Sequence, residues 1–598
     1  MYDAIIIGSG AGGAPIAHTL VGKGKSVLML EKGPLFRPQS AGALSSFKRD
    51  ELISDGHEKI LNLPGVTNDG QPFYSSHIEP DINDEPHIYR SDTGDRATIE
   101  GYTAQAVGGG TNLYGGVSLR FTPRDFQLHT FNSQRNLPND PNGDVRRETK
   151  DWPISYNDLL PYYEKTEYLV GLNGQKENQL KPWGVNNYHQ PLSPNPVSQY
   201  AFDGMVKLGK MLNAGNPAQP YRTPLAVITA EHTPSGRKVP ANPDTLKTSF
   251  VNRYGDPLGA KSSTWVSLLN PISTQPNFEI RPNCTVTHLG SSDAKVNKVY
   301  FLDPAGRPAE TEGKLVIVAC SAIESVRLLQ LSALLDSNFS LRINQNDLLG
   351  KYFLTHAFGG AGGLIPGRAD KSVALDSDWA TDCCNNDDYL LSAGLWAGAT
   401  IYNNTSDSAL PLAIFRTMGA LDLDNLWNGI QYDMSLYGDE IIKYLDKNFG
   451  RRISISFMAN QVPQYNNRIE LHPSVRDKWN RPVAYINKSW HAHDVYLMDH
   501  LADQCGRILE LAGVQEVGKG SSYQSPNGLV RIANHILGGA RFGNSEKDSV
   551  LDPNCRAWHF DNLYVTDGSW MPTSGSGNPT HTIEANSFRV ADHLLSVL

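Results

Sequence analysis

Residues 2–33 read "YDAIIIGSGAGGAPIAHTLVGKGKSVLMLEKG". The apolar run 2–7 is of strand type, and Gly8, Gly10 and Gly13 follow it in G-x-G-x-x-G spacing. A helical stretch comes next, then a second apolar run, "SVLML", with Glu31 at its end. Glu31 lies close to the roughly 20-residue spacing at which this motif carries an acid. Glycine alone is common, but the strand–turn–helix–strand context predicts a β-α-β unit that holds a dinucleotide. Gly8 allows the tight turn, Gly10 lets a pyrophosphate approach the backbone, and Gly13 lets the helix sit against the strand. The helix N-terminus stabilises the phosphates. Glu31 accepts hydrogen bonds from a ribose, and its charge disfavours a 2′-phosphate and therefore NADP.

Outward from that unit the chain is long and mixed. Its 598 residues exceed what one compact core organises, so two or more joined lobes are expected. A hydrophobic fraction of 39% and a charged fraction of 19% suit a globular protein, and 54 glycines with 37 prolines imply many loops. The net charge of −9 is dispersed and no basic stripe appears, which argues against nucleic acid. No apolar run reaches the roughly 20 residues of a membrane span. The first strand begins at residue 2, so no leader is expected before it and a cytoplasmic location is the default. Cys284, Cys320, Cys383, Cys384, Cys505 and Cys555 fit no zinc or iron–sulfur spacing, so no metal set is assigned.

Further along, "YTAQAVGGGTNLYGGVSLRFTPRDF" (102–126) is a second Gly-rich segment ending in a strand-like Val117, Leu119, Phe121 alternation. "DWPISYNDLLPYYEKTEYLVGL" (151–172) predicts a helix with Tyr156, Leu159, Leu160, Tyr163 and Tyr168 inward. Residues 278–302 predict a hairpin, and "KLVIVACSAIESVRLLQLS" (314–332) a buried strand turning into a helix. Strands are expected at "RRISISFMA" and "RIELH", and a long helix around 491–513. Near the C-terminus, "DGSWMPTSGSGNPTHTIEANSFRVADHLL" runs from small polar residues into an apolar helical stripe. Asn578-Pro579-Thr580 marks the junction. Either Thr580 caps the helix, or Asn578 and the helix start face a ligand.

Five segments in order resemble the glucose-methanol-choline (GMC) oxidoreductase family of flavoproteins. They are "AIIIGSGAGGAPIAHTL…LMLEKG", "VGGGTNLYGG", "LVIVACSAIESVRLLQLS", "HILGGARFG" and "LYVTDGSWMPTSGSGNPTHTIEANSFRVAD". "SGNPT.T..A...R.AD" and "WPISYNDLLPYY" are most similar to the sugar-oxidising branch: pyranose oxidases, glycoside 3-oxidases, and gluconate and fructose dehydrogenase flavoprotein subunits. The resemblance implies an α/β fold, with a Rossmann-like FAD-binding lobe discontinuous in sequence (1–150, 246–335, 531–598). An α+β substrate-binding lobe with a large β-sheet (151–245, 336–530) completes it. It also implies FAD. Gly8, Gly10, Gly13 and Glu31 would hold its ADP part, and Gly109, Thr111 and Asn112 would lie against the ring and pyrophosphate. Val286 would sit on the adenine side, and Asp567 and Gly568 near the pyrophosphate. Asn578, Pro579 and Thr580 would place a helix N-terminus at the flavin N1–O2 edge. The implication favours the ligand reading of the junction.

The chemistry implied is oxidation of an alcohol, with hydride transfer to flavin N5 and a base for the hydroxyl proton. His535, in the family's H-x-x-G-x-x-R-x-G segment, is the candidate base or proton-transfer residue. Asn578 stands at the second catalytic position, where it can donate to the substrate oxygen. Arg541 could position substrate or form an ion pair, and His581 is read as a helix-face residue. Gln461 or Asn460 could bind substrate hydroxyls, or could be plain strand-end amides. A sugar or glycoside ring hydroxyl is the expected substrate, with oxygen, a quinone or another acceptor taking the electrons. The alternatives are a non-sugar alcohol (polyol, aryl alcohol or sterol), a lyase that keeps FAD without redox turnover, and a non-catalytic flavin binder.

In several relatives a histidine of the second Gly-rich segment bonds to the flavin. Leu113 stands there, so the FAD is expected to be non-covalent. Acid precipitation should leave the flavin in the supernatant; a pellet that stays yellow after washing would contradict this.

Overall fold

The computed structural model describes residues 1–35, 65–66, 72–73, 85–90, 94–98, 104–112, 114–176, 180–212, 219–239, 259–369, 377–404, 435–448, 450–524 and 535–598. Leu113 lies outside them.

The first lobe is built on a five-stranded sheet. Its strands are β1 (Tyr2–Ile7), β2 (Val27–Leu30), β3 (Phe278–Arg281), β4 (Gly313–Val318) and β5 (Leu563–Val565), in the order β5-β4-β1-β2-β3. Every pair is parallel, with Ile7 beside both Val318 and Leu30, and Val318 beside Val565. Helices cover a parallel sheet on both faces, which is why its strands read as continuous apolar runs. Helices α1 (Ala14–Gly22), α2 (Ala322–Leu335) and α3 (Thr580–Val597) follow β1, β4 and β5, and α1 lies against α3. Phe278–Arg281 does not belong to the expected hairpin. Asn283 takes a left-handed conformation (φ 55°) and its N–H bonds Gly33 O at 3.0 Å, ending β3 at the sheet edge. The hairpin proper is Thr285–Ser292 with Lys295–Leu302.

The second lobe carries a six-stranded antiparallel sheet. From edge to edge it runs Gln515–Ser521, Ala357–Leu364, Arg452–Ala459, Ala399–Asn404, Trp379–Thr381 and Tyr221–Arg222. The helix Ala492–Leu511 lies on it, against the helix Ser198–Leu212. A separate four-stranded sheet joins Arg468–Arg476 and Pro482–Asn487 to His87–Tyr89 and Arg96–Thr98. Boundaries at 150 and 336 therefore cut through packed structure. The helix Tyr156–Thr166 and strand residues Ile469 and Ile486 share the first lobe's core. Tyr168, expected inward, is 53% exposed, because the helix gives way to a wider turn at Glu167–Gly171. Leu119 and Phe121 are fully buried but form no strand; only Val117 bridges, to Leu225.

At the β4–α2 turn stands Ser321. Ser321 has φ 73° and ψ 154°, a region essentially reserved for glycine. The turn is held by Cys320 N–H donating to Ser325 Oγ (2.9 Å) and Ser325 N–H donating to Ser321 O (2.8 Å). Such strain costs about 1–3 kcal/mol, against about 0.5–1 kcal/mol for the entropy of a new glycine. Ser321→Gly should therefore raise the thermal midpoint of the apoprotein; a lower midpoint would mean that the serine is not strained.

Candidate active site

A cleft opens at the C-terminal ends of β1, β2, β4 and β5, with about 1410 Å³ of open space counting its mouth. Ligands of open α/β sheets bind at this end. Gly8–Gly12, Glu31, Gly109–Thr111, Cys284–Val286, Ala319–Ser321, His535, Asp567, Gly568, Pro579 and Thr580 all line it.

Backbone contacts without room for a Cβ hold the cleft together. A Cβ on Gly8 (φ 99°) would sit 2.3 Å from Ala319 O, and one on Gly12 2.8 Å from Asp567 Cα. On Gly13 it would lie 2.1 Å from Gly8 O, so this residue seats α1 on the loop and does not face the cleft. The two Gly-rich segments also touch, since a Cβ on Gly109 would come 3.1 Å from Gly10 Cα. Ser9 joins them: its Oγ donates to Glu31 Oε2 (2.7 Å) and accepts from Gly108 N–H (2.9 Å). Asn112 is turned inward, donating to Val107 O and Gly109 O at 3.0 Å each. It shapes the loop rather than lining the cleft.

Three helix N-termini meet here without a side-chain cap: α1 after Gly13, α2 after Ser321 and α3 after Pro579. Thr580 is therefore not a cap. It is the first helical residue, and both it and Pro579 line the cleft. Unsatisfied N–H groups and the positive ends of the dipoles make such termini anion sites. A dinucleotide carrying a pyrophosphate and a ring edge that takes on negative charge fits this set. Glu31 supplies the acceptor at the far end, where its carboxylate is already held by Ser9 N–H (3.1 Å) and Gly33 N–H (2.9 Å). Burial raises its pKa. Asp567 is likewise buried with a raised pKa, and accepts from Ser325 Oγ and from Ser569 N–H (2.9 Å).

At the ring end His535 faces the cleft, and Asn578 Nδ2 lies 3.5 Å from His535 Nε2. Asn578 Oδ1 is buried without a hydrogen-bond partner. A second polar ring, His356, packs edge to face on His535 with centroids 5.0 Å apart. The sequence alone did not single it out among 17 histidines. The signal was its register with His535, which only the strand pairing reveals.

Asn460 and Gln461 differ from expectation. Both are fully buried. Asn460 Oδ1 accepts from Gly575 N–H (2.6 Å), and its Nδ2 donates to Asp125 (2.9 Å). Gln461 Oε1 accepts from Thr355 N–H (2.8 Å), and its backbone N–H donates to Ser574 Oγ (2.9 Å). The Asn460 amide is spent on Asp125 and on the loop leading to Asn578, and the Gln461 amide on Thr355 N–H and Ser489 O, with its backbone N–H on that loop, so both brace the site from buried positions. Arg541 stacks on the Tyr352 ring (3.7 Å) and donates to Asp548 O (2.9 Å), away from the cleft. His581 is buried against Ser118 O (2.9 Å), and burial pushes its pKa down to about 3. Among the described residues Asp140, Asp144 and His491 group together. His491 Nδ1 accepts from His493 N–H (3.0 Å), and its Nε2 lies 3.8 Å from Asp140 and 3.7 Å from Asp144.

The fold and cleft define a dinucleotide-binding oxidoreductase with a covering second lobe. The chain belongs to the GMC oxidoreductase family, whose description it matches over residues 147–357 and 463–587. It is an FAD-dependent enzyme of the class that acts on CH–OH groups. It is 24% identical over 603 residues to 2-methyl-1,2-propanediol dehydrogenase of Mycolicibacterium austroafricanum, covering 99% of this chain and 95% of that one. It is 26% identical over 622 residues to the fructose dehydrogenase large subunit of Gluconobacter japonicus, covering 100% and 98%. It is also 26% identical over 607 residues to 6'''-hydroxyparomomycin C oxidase of Streptomyces lividus, covering 99% and 92%. The fold is similar to that of formate oxidase from Aspergillus oryzae, with a TM-score of 0.58, 12% identity and coverage of 100% and 98%. Among the described residues no helix is long and apolar enough to cross a membrane.

Glu31→Gln replaces one acceptor oxygen by a donor facing N–H groups and removes the charge that holds Ser9. A hydrogen bond to a charged group is worth about 1.5–3 kcal/mol, so FAD affinity should fall about 10- to 100-fold. Reconstitution of the apoprotein, followed by flavin fluorescence, measures it; unchanged affinity would remove Glu31 from the cofactor site.

Proposed function

We propose that the enzyme oxidises a hydroxyl of a sugar or glycoside to a carbonyl, with His535 as the base and Asn578 as the group that orients the substrate oxygen. The observation that carries the reading is the His535–Asn578 pair at 3.5 Å, beside the uncapped start of α3. FAD, when bound in the cleft, would supply the hydride acceptor for the alcohol carbon. His535 takes the hydroxyl proton, and Asn578 Nδ2 donates to the same oxygen as charge builds on it. Asn578 cannot take a proton itself, so the two roles do not compete. The FAD is held without a covalent bond. Gly8, Gly10, Glu31, Gly109, Thr111, Val286, Asp567, Gly568, Pro579 and Thr580 line the cleft and would hold it, while Gly13 and Asn112 shape its loops.

Relatives named for fructose and for aminoglycoside oxidation support a sugar-like substrate. The diol dehydrogenase relative supports a second reading, a small non-sugar polyol. Both use the same pair of residues, and a panel of sugars and diols mixed anaerobically with the enzyme separates them.

His535→Ala should slow flavin reduction by about 10²–10⁴-fold, the contribution of a positioned acid–base group, while FAD content is kept. Asn578→Asp should also slow it, because a carboxylate repels the developing alkoxide, and should recover partly at lower pH, where it is neutral. Stopped-flow reduction across pH tests both. A His535→Ala rate within about threefold of wild type, outside that range, would move the base to another residue.

A further inference from the structure

His356 occupies a place that the reaction chemistry above does not use. Two residues after the base, Leu537–Gly538 pairs antiparallel with Phe353–Leu354, with Leu354 opposite Leu537. Carrying that register two residues further sets His356 opposite His535. Directly opposed residues of an antiparallel pair project to the same face, and the rings do meet, at 5.0 Å and 80°.

His356 is fully buried, and neither ring nitrogen has a hydrogen-bond partner. Carbonyls of Ser574, Gly575 and Gly577 face the ring without completing a bond of ordinary geometry. An unsatisfied buried imidazole is costly and calls for a reason. Its neighbours are also fixed. Thr355 N–H donates to Gln461 Oε1, and Gln461 N–H donates to Ser574 Oγ, so the strand and the loop before Asn578 are tied on either side of the ring. Ala357, the next residue, opens the substrate-lobe strand. The ring thus stands between the base, the loop that presents Asn578, and the second lobe.

We propose that His356 is a positioning residue: its ring sets the ring plane of His535 and the spacing between His535 and Asn578. The inference rests on the reading of His535 as the base. Burial holds the His356 pKa well below the ordinary histidine range, and a proton on His535 lowers it further. Edge-to-face rings hold a geometry without adding charge, which suits a partner for a residue whose own charge changes in each turnover.

The test uses the FAD-loaded wild type and His535→Ala, His356→Ala and His356→Phe variants, mixed anaerobically with D-fructose, D-glucose and 1,2-propanediol. His356→Ala should reduce its flavin about 10²-fold more slowly, the effect of roughly 1 Å of misplacement, with KM and FAD content near wild type. His356→Phe keeps the ring and should recover most of that rate. A crystal structure of His356→Ala should show His535 in more than one ring orientation. If His356→Ala matches wild type while His535→Ala is slow, the positioning role is wrong and the base assignment stands. Equal slowing in the Ala and Phe variants, with FAD lost from both, would make His356 a packing residue and overturn the proposal. If wild type reduces with none of the three, or if His535→Ala is as fast as wild type, the functional reading fails and the inference with it.

Discussion

The site depends on backbone meeting backbone where three strands end. The loop after β1 touches the ends of β4 and β5 so closely that a side chain at Gly8 or Gly12 would overlap Ala319 or Asp567. These crossings come from segments hundreds of residues apart, yet they decide everything downstream. Because the loop is seated on β4 and β5, the N-termini of α1, α2 and α3 converge on one cleft. Because Gly109 can approach Gly10, the second Gly-rich segment closes over the first. Ser9 then fixes the arrangement chemically, sharing one hydroxyl between Glu31 and Gly108.

That constraint explains which parts could be read in advance. The β-α-β unit is local: its glycines, its apolar strand and Glu31 lie within one short stretch, so spacing alone exposes it. The helix at Asn578-Pro579-Thr580 is also local, but its meaning is not. Capping and ligand binding look alike in sequence, and only the cleft in front of Pro579 and Thr580 separates them. Phe278–Arg281 was misplaced for a related reason. Its partner is β2, far away in sequence, and a strand's neighbour is set by the sheet and not by its own residues.

The amides of Asn460 and Gln461 and the ring of His356 were illegible for a stronger reason. Buried polar side chains are specified by partners, and the partners are Ser574, Gly575, Thr355 and His535, all distant in the chain. An amide at a strand end looks the same in sequence whether it reaches outward to a sugar or backward to a loop. The cost of leaving such a group unpaired in the interior, about 1–3 kcal/mol, makes the backward arrangement the stable one wherever the loop offers partners.

The same bracing bears on how one scaffold serves different alcohols. His535 precedes the short Leu537–Gly538 strand, Asn578 leads α3, and both belong to the FAD-binding lobe. Among the described residues the second lobe meets the loop before Asn578 through the Thr355–His356 link, the Gln461 backbone N–H on Ser574, Gly575 N–H on Asn460 Oδ1, Thr400 N–H on Ser576 O (2.8 Å) and Asn385 Nδ2 on Ser576 Oγ (3.0 Å). A second lobe attached in this way can vary the surface it turns toward the cleft while these bonds hold His535 and Asn578 where they stand. The β-α-β unit and the α3 junction that build the cleft read clearly in sequence, and the second lobe that covers it does not.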